Sequence, residues 1–163
     1  MNARNIPERF LWTLIVLSTL FIMSCSKEGK GLSASDDYLI FGKYFGLCMG
    51  EECVETYKLT STQLFEDRED TYFPPGEYDF ELLSEELFEK VKDLKDQFPS
   101  RLLDEESQTF GCPNCYDQGE YFIEIPYNGE TKSWRVDTNL DDIPTYLHEF
   151  VRHIDESISA LKN

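Results

Sequence analysis

Short runs of alternating apolar and polar residues follow residue 37 and predict β-strands. Tyr38 to Phe45 predicts a first strand, and Cys53 to Thr60 predicts a second. The segment between them contains two glycines, so it is expected to form the turn of a hairpin. Two shorter runs, Thr62 to Asp67 and Glu77 to Leu82, predict a third and a fourth strand with a Pro-Pro-Gly loop between them.

The clearest hairpin signal lies around Asn128-Gly129. Gly119 to Tyr127 and Glu130 to Asp137 flank this dipeptide, which suits a two-residue turn with positive φ at both positions. The cross-strand pairs that such a turn implies are Ile123 with Trp134, Tyr121 with Val136, and Phe122 with Arg135. The first two pairs share one face and the third lies on the other. The register follows from the turn alone, and the apolar partners it brings together support it.

Two segments have the apolar spacing of amphipathic helices. Ser84 is expected to cap the first, which should continue until Pro99. Its apolar positions are Leu87, Phe88, Val91, Leu94 and Phe98. Asp141 or Asp142 is expected to cap the second, with Pro144 in its first turn. Its apolar stripe consists of Ile143, Leu147, Phe150, Val151, Ile154, Ile158 and Leu161.

These elements predict an α+β fold for residues 38–163. The strands come in groups, with one helix between the groups and one helix at the end of the chain. We therefore expect an antiparallel sheet of about five to six strands with two helices packed on one face. The segment is long enough for one domain.

The first 24 residues have the pattern of a cleavable export signal. Arg4 and Arg9 precede an uncharged run from Phe10 to Met23, which is 14 residues long. A helix that crosses a membrane needs roughly 20 apolar residues, so this run is too short to span one. We therefore expect residues 1–24 to be a signal peptide.

Ile22-Met23-Ser24-Cys25 resembles the lipobox of bacterial lipoproteins. In that family the cysteine thiol receives a diacylglycerol, the chain is cut before the cysteine, and the new N-terminus is acylated. The resemblance implies lipidation of Cys25 and a membrane anchor. Ser26 resembles the residue that directs lipoproteins to the outer membrane. An ordinary secretory signal with a chance cysteine, or an uncleaved anchor, is the alternative.

Residues 25–37 are rich in glycine, serine and charge, which predicts a flexible tether. With this tether, the aromatic-rich acidic domain resembles small lipoproteins of Bacteroidota-type bacteria, a resemblance that implies no activity. The implied location is the cell envelope, with the lipid in the outer membrane and the domain on its periplasmic or surface face.

The chain is strongly acidic. It has 15 basic and 32 acidic side chains and a net charge of −17. Cleavage before Cys25 removes two basic residues and one acidic residue, which leaves a net charge of −18. We expect no nucleic-acid partner, because phosphate contacts need a basic surface. We attribute the charge to solubility rather than to cation binding.

Four cysteines remain besides Cys25, and an even number in an exported chain favours disulfides. We favour Cys48 with Cys53, because these two flank the first predicted turn, and Cys112 with Cys115. A cross-pairing that ties the first hairpin to the loop before the last hairpin stays open.

Gly111-Cys-Pro-Asn-Cys115 suggests two other chemistries. Cys-Pro-X-Cys resembles the active site of glutaredoxins, where a helix directly behind the first cysteine activates the thiol. A strand is predicted to follow here, which argues against a thioredoxin-type fold. Cys-Pro-X-Cys also resembles one knuckle of a zinc ribbon, so the four cysteines are a candidate zinc site. Export disfavours the free thiolates that such a site needs.

Two further motifs lack the spacing that metal binding needs. His148 and His153 are five residues apart, whereas a zinc-binding helix places two histidines one turn apart. Asp137 to Asp141 resembles the opening of a calcium loop, but Asp142 stands where that loop needs glycine. We therefore expect a solvated polar helix face for the histidines, and a strand-to-helix loop with a capping aspartate.

We assign no catalytic, cofactor-binding or metal-binding residue, because the sequence has no nucleophile elbow and no glycine-rich phosphate loop. A non-enzymatic binding or structural domain is expected, and its partner is a glycan or a protein. The candidate aromatic patch comprises Tyr38, Tyr44, Tyr57, Tyr72, Tyr78 and Tyr116. We favour the other interpretation, in which these rings lie in the core with their hydroxyls in contact with water. The alternative function is a thiol-redox or metal-binding protein of the envelope that uses Cys112 and Cys115.

Overall fold

One seven-stranded sheet organises the fold, and two helices pack on one of its faces. The computed structural model describes residues 37–46, 48, 53–69, 78–113 and 115–162. The strands are β1 (Tyr38–Tyr44), β2 (Val54–Thr60), β3 (Leu64–Asp67), β4 (Phe80–Leu82), β5 (Thr109–Phe110), β6 (Glu120–Tyr127) and β7 (Glu130–Asp137). The helices are α1 (Glu85–Val91) and α2 (His148–Leu161).

The strand order is β4-β3-β2-β1-β6-β7-β5, and all neighbouring strands are antiparallel except β5 and β7. This arrangement confirms the predicted α+β class. The sheet has seven strands where about five to six were expected. The additional strand, β5, has two residues and runs parallel to β7 at the edge of the sheet. So short a strand has no periodic pattern that a sequence can reveal.

The hairpin of β6 and β7 has the predicted register. Its pairs include Ile123 with Trp134, Tyr121 with Val136, and Phe122 with Arg135. Asn128 has a φ of 55° and Gly129 a φ of 82°. This left-handed conformation is the one that the two-residue turn requires. The turn therefore decides which side chains of the hairpin face the helices.

The main hydrophobic core lies between the sheet and the helices. The Phe98 ring centroid lies 5.9 Å from the Trp134 ring on β7 and 5.7 Å from the Phe150 ring on α2. The predicted apolar stripe of α2 is confirmed, because its residues belong to this core or pack against it. The stripe holds α2 on the sheet as hydrophobic burial requires.

The helix α1 is shorter than its apolar spacing predicted. Ser84 caps it as expected and accepts a hydrogen bond from the Leu87 N–H. The α-helix ends at Val91, well before the proline that was expected to end it. The Leu94 N–H then donates to the Val91 carbonyl oxygen at 2.9 Å. This tighter 3-10 type of turn aligns residues three apart, so both side chains reach the core.

Neither Asp141 nor Asp142 caps α2, so this prediction was wrong. Asn139 instead caps a short 3-10 turn by accepting a hydrogen bond from the Asp141 N–H at 3.3 Å. Ile143 then has an extended backbone, because the proline that follows it disfavours helical geometry. The α-helix therefore begins only after a second 3-10 turn at Thr145–Leu147.

The described residues all belong to one compact unit of the chain. No helix in this described part combines the length and the apolar character needed to cross a membrane. The predicted signal peptide, Cys25, nearly all of the predicted tether and the Pro-Pro-Gly loop lie outside the described residues. Most of the first predicted turn lies outside them too.

Candidate functional site

The face of the sheet opposite the helices carries a separate apolar cluster. Its strand residues alternate along each strand with residues of the main core, as side chains of a pleated sheet do. The buried members are Ile40, Tyr44, Cys53, Val54 and Phe122, and the half-buried members are Tyr38, Tyr78 and Phe80. None of these residues belongs to α1 or α2. We term this set the second-face cluster.

Two pairs of stacked rings form the second-face cluster's aromatic part. The ring centroids of Tyr44 and Phe122 lie 5.6 Å apart, and those of Tyr78 and Phe80 lie 4.8 Å apart. The Thr56 hydroxyl donates a hydrogen bond to the Tyr44 phenol oxygen at 3.1 Å. Burial raises the pKa of Tyr44, so its hydroxyl stays neutral at physiological pH.

Lys58 lies beside the rings of the second-face cluster. Its ammonium is 4.7 Å from the ring centroid of Tyr38 and 5.4 Å from that of Phe80. A cation placed over a ring in this way contributes about 0.5–2 kcal/mol, depending on how much water is excluded. Lys58 pairs with Ile40 on β1 and with Phe65 on β3. Strand register therefore brings the ammonium to these rings.

Glu124 supplies a carboxylate to the same face. The Tyr78 hydroxyl donates to its Oε2 atom at 3.5 Å. Burial raises the pKa of Glu124 above the ordinary value of a glutamate, and hydrogen bonds from Tyr78 and Tyr38 and the charge of Lys58 partly offset this rise. A carboxylate with this incomplete compensation gains from a further hydrogen-bond donor or cation.

A buried ion pair lies where β6 begins. Glu120 is 0% exposed, and the Arg135 side chain is 31% exposed. Arg135 Nε donates to one Glu120 carboxylate oxygen at 2.8 Å, and a terminal guanidinium nitrogen donates to the other. Two parallel hydrogen bonds best offset the cost of removing both charges from water. Phe122 pairs with Arg135 across the strands, so the ion pair adjoins the second-face cluster.

The second face thus combines aromatic rings with an ammonium, a guanidinium and two carboxylates. Such a surface is suited to binding, because rings provide contact area and charged groups fix the orientation of a partner. Among the residues that the structure describes, no group of three or more His, Cys, Asp and Glu side chains is placed to hold a metal ion.

The tyrosines of the predicted aromatic patch do not lie together. Tyr38, Tyr44 and Tyr78 belong to the second-face cluster, Tyr57 to the main core, Tyr116 to an exposed loop, and Tyr72 to the residues outside the description. The Tyr57 hydroxyl donates to Glu55 at 2.8 Å, which matches the expectation of a core ring with a polar hydroxyl. These tyrosines were grouped only because they are the same residue type. Alternation along the strands places Tyr57 in the main core and Tyr38 and Tyr44 in the second-face cluster.

The polar residues of the second face were not predicted from the amino-acid sequence. These are Lys58, Glu120, Glu124 and Arg135. A partial signal was present, because Leu39 to Phe41 and Tyr121 to Ile123 are continuous apolar runs. Such runs are typical of strands that are buried on both faces. They do not indicate which charged residues of other strands lie beside the second face.

Disulfides join Cys48 to Cys53 and Cys112 to Cys115, with Cα–Cα distances of 5.4 Å and 5.5 Å. These are the pairings that the sequence favoured. Cys112 and Cys115 are both exposed. In the first disulfide Cys48 is exposed, but Cys53 is only 5% exposed. The two disulfides therefore differ in their access to a reagent.

Asp137 organises the loop that contains the second disulfide. Its carboxylate, on a residue that is 1% exposed, accepts hydrogen bonds from the Cys112 N–H at 2.8 Å and the Asn139 N–H at 2.9 Å. The Gln118 side-chain amide donates to the same carboxylate at 3.1 Å. In the calcium-like motif this residue is the first ligand. In the structure, three N–H donors occupy its carboxylate, so its role is to hold the loop.

The two histidines of α2 are half-buried, whereas Glu149 and Arg152 on the same expected polar face are exposed. A ring nitrogen of His148 lies 3.1 Å from the Ile143 carbonyl oxygen. His153 Nδ1 is buried and has no hydrogen-bond partner within the described residues. His153 also lines a groove of about 320 Å³ between α1 and α2. The Nδ1 atom is therefore buried although the residue as a whole is partly exposed.

The second face and the Cys112–Cys115 loop are the two candidate sites in the described part of the chain. The first offers rings and charges to a partner, and the second offers an accessible disulfide on a hydrogen-bonded loop. No protein-family model matches this chain, and no curated protein is significantly similar to it. A function therefore has to be inferred from the geometry of the second face and of the Cys112–Cys115 loop.

Proposed function

We propose that this chain is a lipid-anchored protein of the bacterial cell envelope whose domain binds a glycan or protein partner through the second face of the sheet. This face acts by binding and not by catalysis. One observation carries the binding part of this proposal. Half-buried and stacked rings lie beside Lys58 and Glu124 on the sheet face that is opposite the helices.

The N-terminal sequence supports the location. The uncharged run of 14 residues and the lipobox-like Ile22-Met23-Ser24-Cys25 support export, cleavage before Cys25 and acylation of its thiol. Two acyl chains hold a protein stably on a membrane, whereas a single chain gives only marginal binding. Ser26 supports delivery to the outer membrane.

The described domain begins at Asp37, which lies at the opposite end of β1 from the two disulfides. This position favours an anchor that leaves the disulfide end of the domain accessible. Asp37 Oδ2 lies 2.6 Å from Lys95 Nζ, which ties this point to the segment after α1. From there β1 runs for seven residues, or about 20 Å. Both disulfides lie at the other end of this strand, where Tyr44 pairs with Glu120 and Asp137 holds the second disulfide loop. An anchor before Asp37 is therefore attached away from them.

The chemistry of the second face favours a neutral or basic partner. Tyr38, Tyr78 and Phe80 expose part of their rings, onto which the apolar faces of sugars or aliphatic side chains pack. Glu124 offers a hydrogen-bond acceptor beside these rings, and Lys58 offers donors. The negative charge of the chain disfavours an anionic partner.

The alternative is a thiol-redox or metal-binding protein that uses Cys112 and Cys115. The exposure of both cysteines favours the redox form of this alternative. A metal ion needs thiolates, and a disulfide does not supply them. Neither form of the alternative involves the second face.

The anchor is tested by growing the producing bacterium with a labelled fatty acid. The wild-type protein should take up the label and Cys25→Ser should not, because the proposed acceptor is the Cys25 thiol. Ser24→Ala is the control, because it keeps a small residue before the cysteine and should remain labelled. Uptake of label by Cys25→Ser would show that the anchor is wrong.

The second face is tested with the unanchored Cys25→Ser protein and a panel of neutral oligosaccharides in isothermal titration calorimetry. Tyr78→Ala should weaken the binding of a recognised sugar roughly 30-fold, which corresponds to about 2 kcal/mol for a ring at the centre of an interface. The matched control is Tyr127→Ala on β6, whose ring lies beside Lys132 on the helix-covered face.

Two results of this titration contradict the proposal. If Tyr127→Ala weakens binding as much as Tyr78→Ala, the second face is not the binding surface. If no oligosaccharide binds, the glycan form of the proposal is wrong and a protein partner is the form that is left.

A further inference from the structure

We infer that the Cys112–Cys115 disulfide is a site of thiol–disulfide exchange at which the dithiol of a partner polypeptide is oxidised, with Asp137 and Gln118 as its positioning residues. This inference rests on the redox alternative and does not depend on the second face. Three features carry it. The disulfide is accessible, its loop is held by hydrogen bonds that do not involve sulfur, and an exposed aromatic ring lies next to it.

Access distinguishes this disulfide from the other one. Exchange requires a thiolate to reach a disulfide sulfur, so the exposure of that sulfur limits the rate. Cys112 and Cys115 are both exposed. Cys53 is 5% exposed, and its carbonyl oxygen accepts the Phe45 N–H at 2.9 Å at the end of the β1–β2 ladder. The Cys48–Cys53 disulfide thus has one buried cysteine, whereas both cysteines of the Cys112–Cys115 disulfide are exposed.

Hydrogen bonds hold the backbone of the Cys112–Cys115 loop independently of the disulfide. The Cys112 N–H donates to Asp137 at 2.8 Å, and the Gln118 side-chain amide donates to the Cys112 carbonyl oxygen at 3.1 Å. The Tyr116 N–H donates to the Gln118 side-chain oxygen at 2.7 Å, and the Cys115 N–H donates to the Cys112 carbonyl oxygen at 3.1 Å. When the disulfide opens, these bonds keep the two thiols close, so reclosure is an intramolecular step at high effective concentration.

The Cys112–Cys115 loop packs closely against the Asp137 side chain. Gly111 has a φ of 73°, and a Cβ atom at this position would lie 2.6 Å from the Asp137 Cβ. The chain therefore passes directly over the buried aspartate just before Cys112. This close packing keeps water away from the hydrogen bond between the Cys112 N–H and Asp137. A hydrogen bond shielded from water is stronger than an exposed one.

Tyr116 provides a contact for a polypeptide partner. It is 87% exposed, and the only other exposed large apolar residue in the described ranges, Leu82, is 54% exposed. Its backbone is held by Gln118. An exposed ring on an ordered loop makes contacts at low entropic cost, as anchor residues of protein interfaces do.

The proposed reaction transfers two electrons. A thiolate of the partner attacks one sulfur of the disulfide, the sulfur–sulfur bond breaks, and the other cysteine leaves as a thiolate that takes up a proton. The second partner thiolate then attacks the mixed disulfide and releases the first cysteine. The partner dithiol becomes a disulfide, and Cys112 and Cys115 become thiols that carry the two protons lost by the partner.

The test uses the mature Cys25→Ser protein with dithiothreitol as the dithiol. Samples are quenched with an alkylating agent, and each cysteine is quantified by mass spectrometry of its peptide. The Cys112–Cys115 disulfide should be reduced at least about tenfold faster than Cys48–Cys53, because both of its cysteines are exposed whereas Cys53 is 5% exposed. Circular dichroism should show that the domain stays folded after this first reduction. Equal rates for the two disulfides overturn the inference.

The positioning residues are tested by reoxidation with oxidised glutathione. Asp137→Asn and Gln118→Ala should each slow closure of Cys112 to Cys115 roughly fivefold or more, because the thiols are no longer held together. Closure of Cys48 to Cys53 serves as the internal reference and should not change. Asp117→Asn is the matched control, because it removes one acidic charge from the same loop.

Gln118→Ala keeps the inference testable if Asp137→Asn does not fold. Its side chain is half-buried, and its removal leaves the Asp137 carboxylate with two backbone donors. Wild-type closure rates in Gln118→Ala and in any folded Asp137→Asn protein would show that neither residue positions the thiols.

Discussion

Arg135→Met is expected to lower the free energy of unfolding by about 3 kcal/mol. The substitution leaves the Glu120 carboxylate, which is 0% exposed, without the two hydrogen bonds that compensate its burial. Breaking a buried ion pair costs about 3–5 kcal/mol, and we place this pair at the lower end because water reaches Arg135. Urea unfolding followed by circular dichroism at neutral pH measures the effect.

Two controls separate the buried charge from a general effect of losing arginine. Arg101→Met removes an arginine that is 70% exposed from its ion pair with Glu105, and it should cost less than about 1 kcal/mol. Glu120→Met combined with Arg135→Met should recover most of the lost stability, because no uncompensated charge remains. If the double variant is as unstable as Arg135→Met, the loss comes from packing and not from the buried carboxylate.

Gly119→Ala is expected to lower the free energy of unfolding by about 2–5 kcal/mol. Gly119 has a φ of 83°, a conformation that costs a residue with a Cβ atom about 1–2 kcal/mol. The added Cβ would also lie 2.8 Å from the Tyr44 carbonyl oxygen and from the Phe45 ring. Overpacking of this kind adds about 1–3 kcal/mol. The same urea unfolding experiment measures the sum.

Gly129→Ala is the matched control for this prediction. Gly129 has a φ of 82°, and a Cβ atom there would meet nothing within 4 Å. It should therefore cost only the backbone term, about 1–2 kcal/mol. Equal losses of unfolding free energy in the two variants would show that the close approach of Gly119 to the end of β1 does not contribute to stability. A larger loss in Gly119→Ala shows that this approach is a fixed part of the fold.

The elements that the sequence predicted well depend on local signals. Asn128-Gly129 fixes the register of β6 and β7 because a two-residue turn leaves no freedom in which residues oppose each other. The apolar stripe of α2 is visible because helical spacing repeats within one segment. The preferred cysteine pairings were also local, since each pair closes a loop of a few residues.

The start of α2 and the strand β5 were not predicted, because both depend on interactions with residues outside the segment itself. The Pro144 ring keeps Ile143 extended, and this moved the start of α2 away from the expected aspartate cap. The strand β5 forms only because β7 offers it a parallel edge at Arg135 and Val136. Nothing within Thr109-Phe110 itself indicates a strand.

The candidate binding site was predictable only in part. Tyr38, Tyr44 and Tyr78 were among the predicted rings, and they do lie on one face. The charges beside them were not predicted, because Lys58 is on β2 and Glu124 is on β6, on opposite sides of β1. A periodic pattern shows on which face of its own strand a residue lies. It does not show which residues of other strands are its neighbours.

The α+β class, the two helices, most of the strands and the even set of four cysteines could be predicted from the amino-acid sequence. These properties depend on spacing within single segments and on composition. The aromatic and charged second face of the sheet, and the role of Asp137 in holding the Cys112–Cys115 loop, became visible only in the folded chain. Both depend on long-range pairing of strands, which places residues from distant parts of the chain within hydrogen-bonding distance.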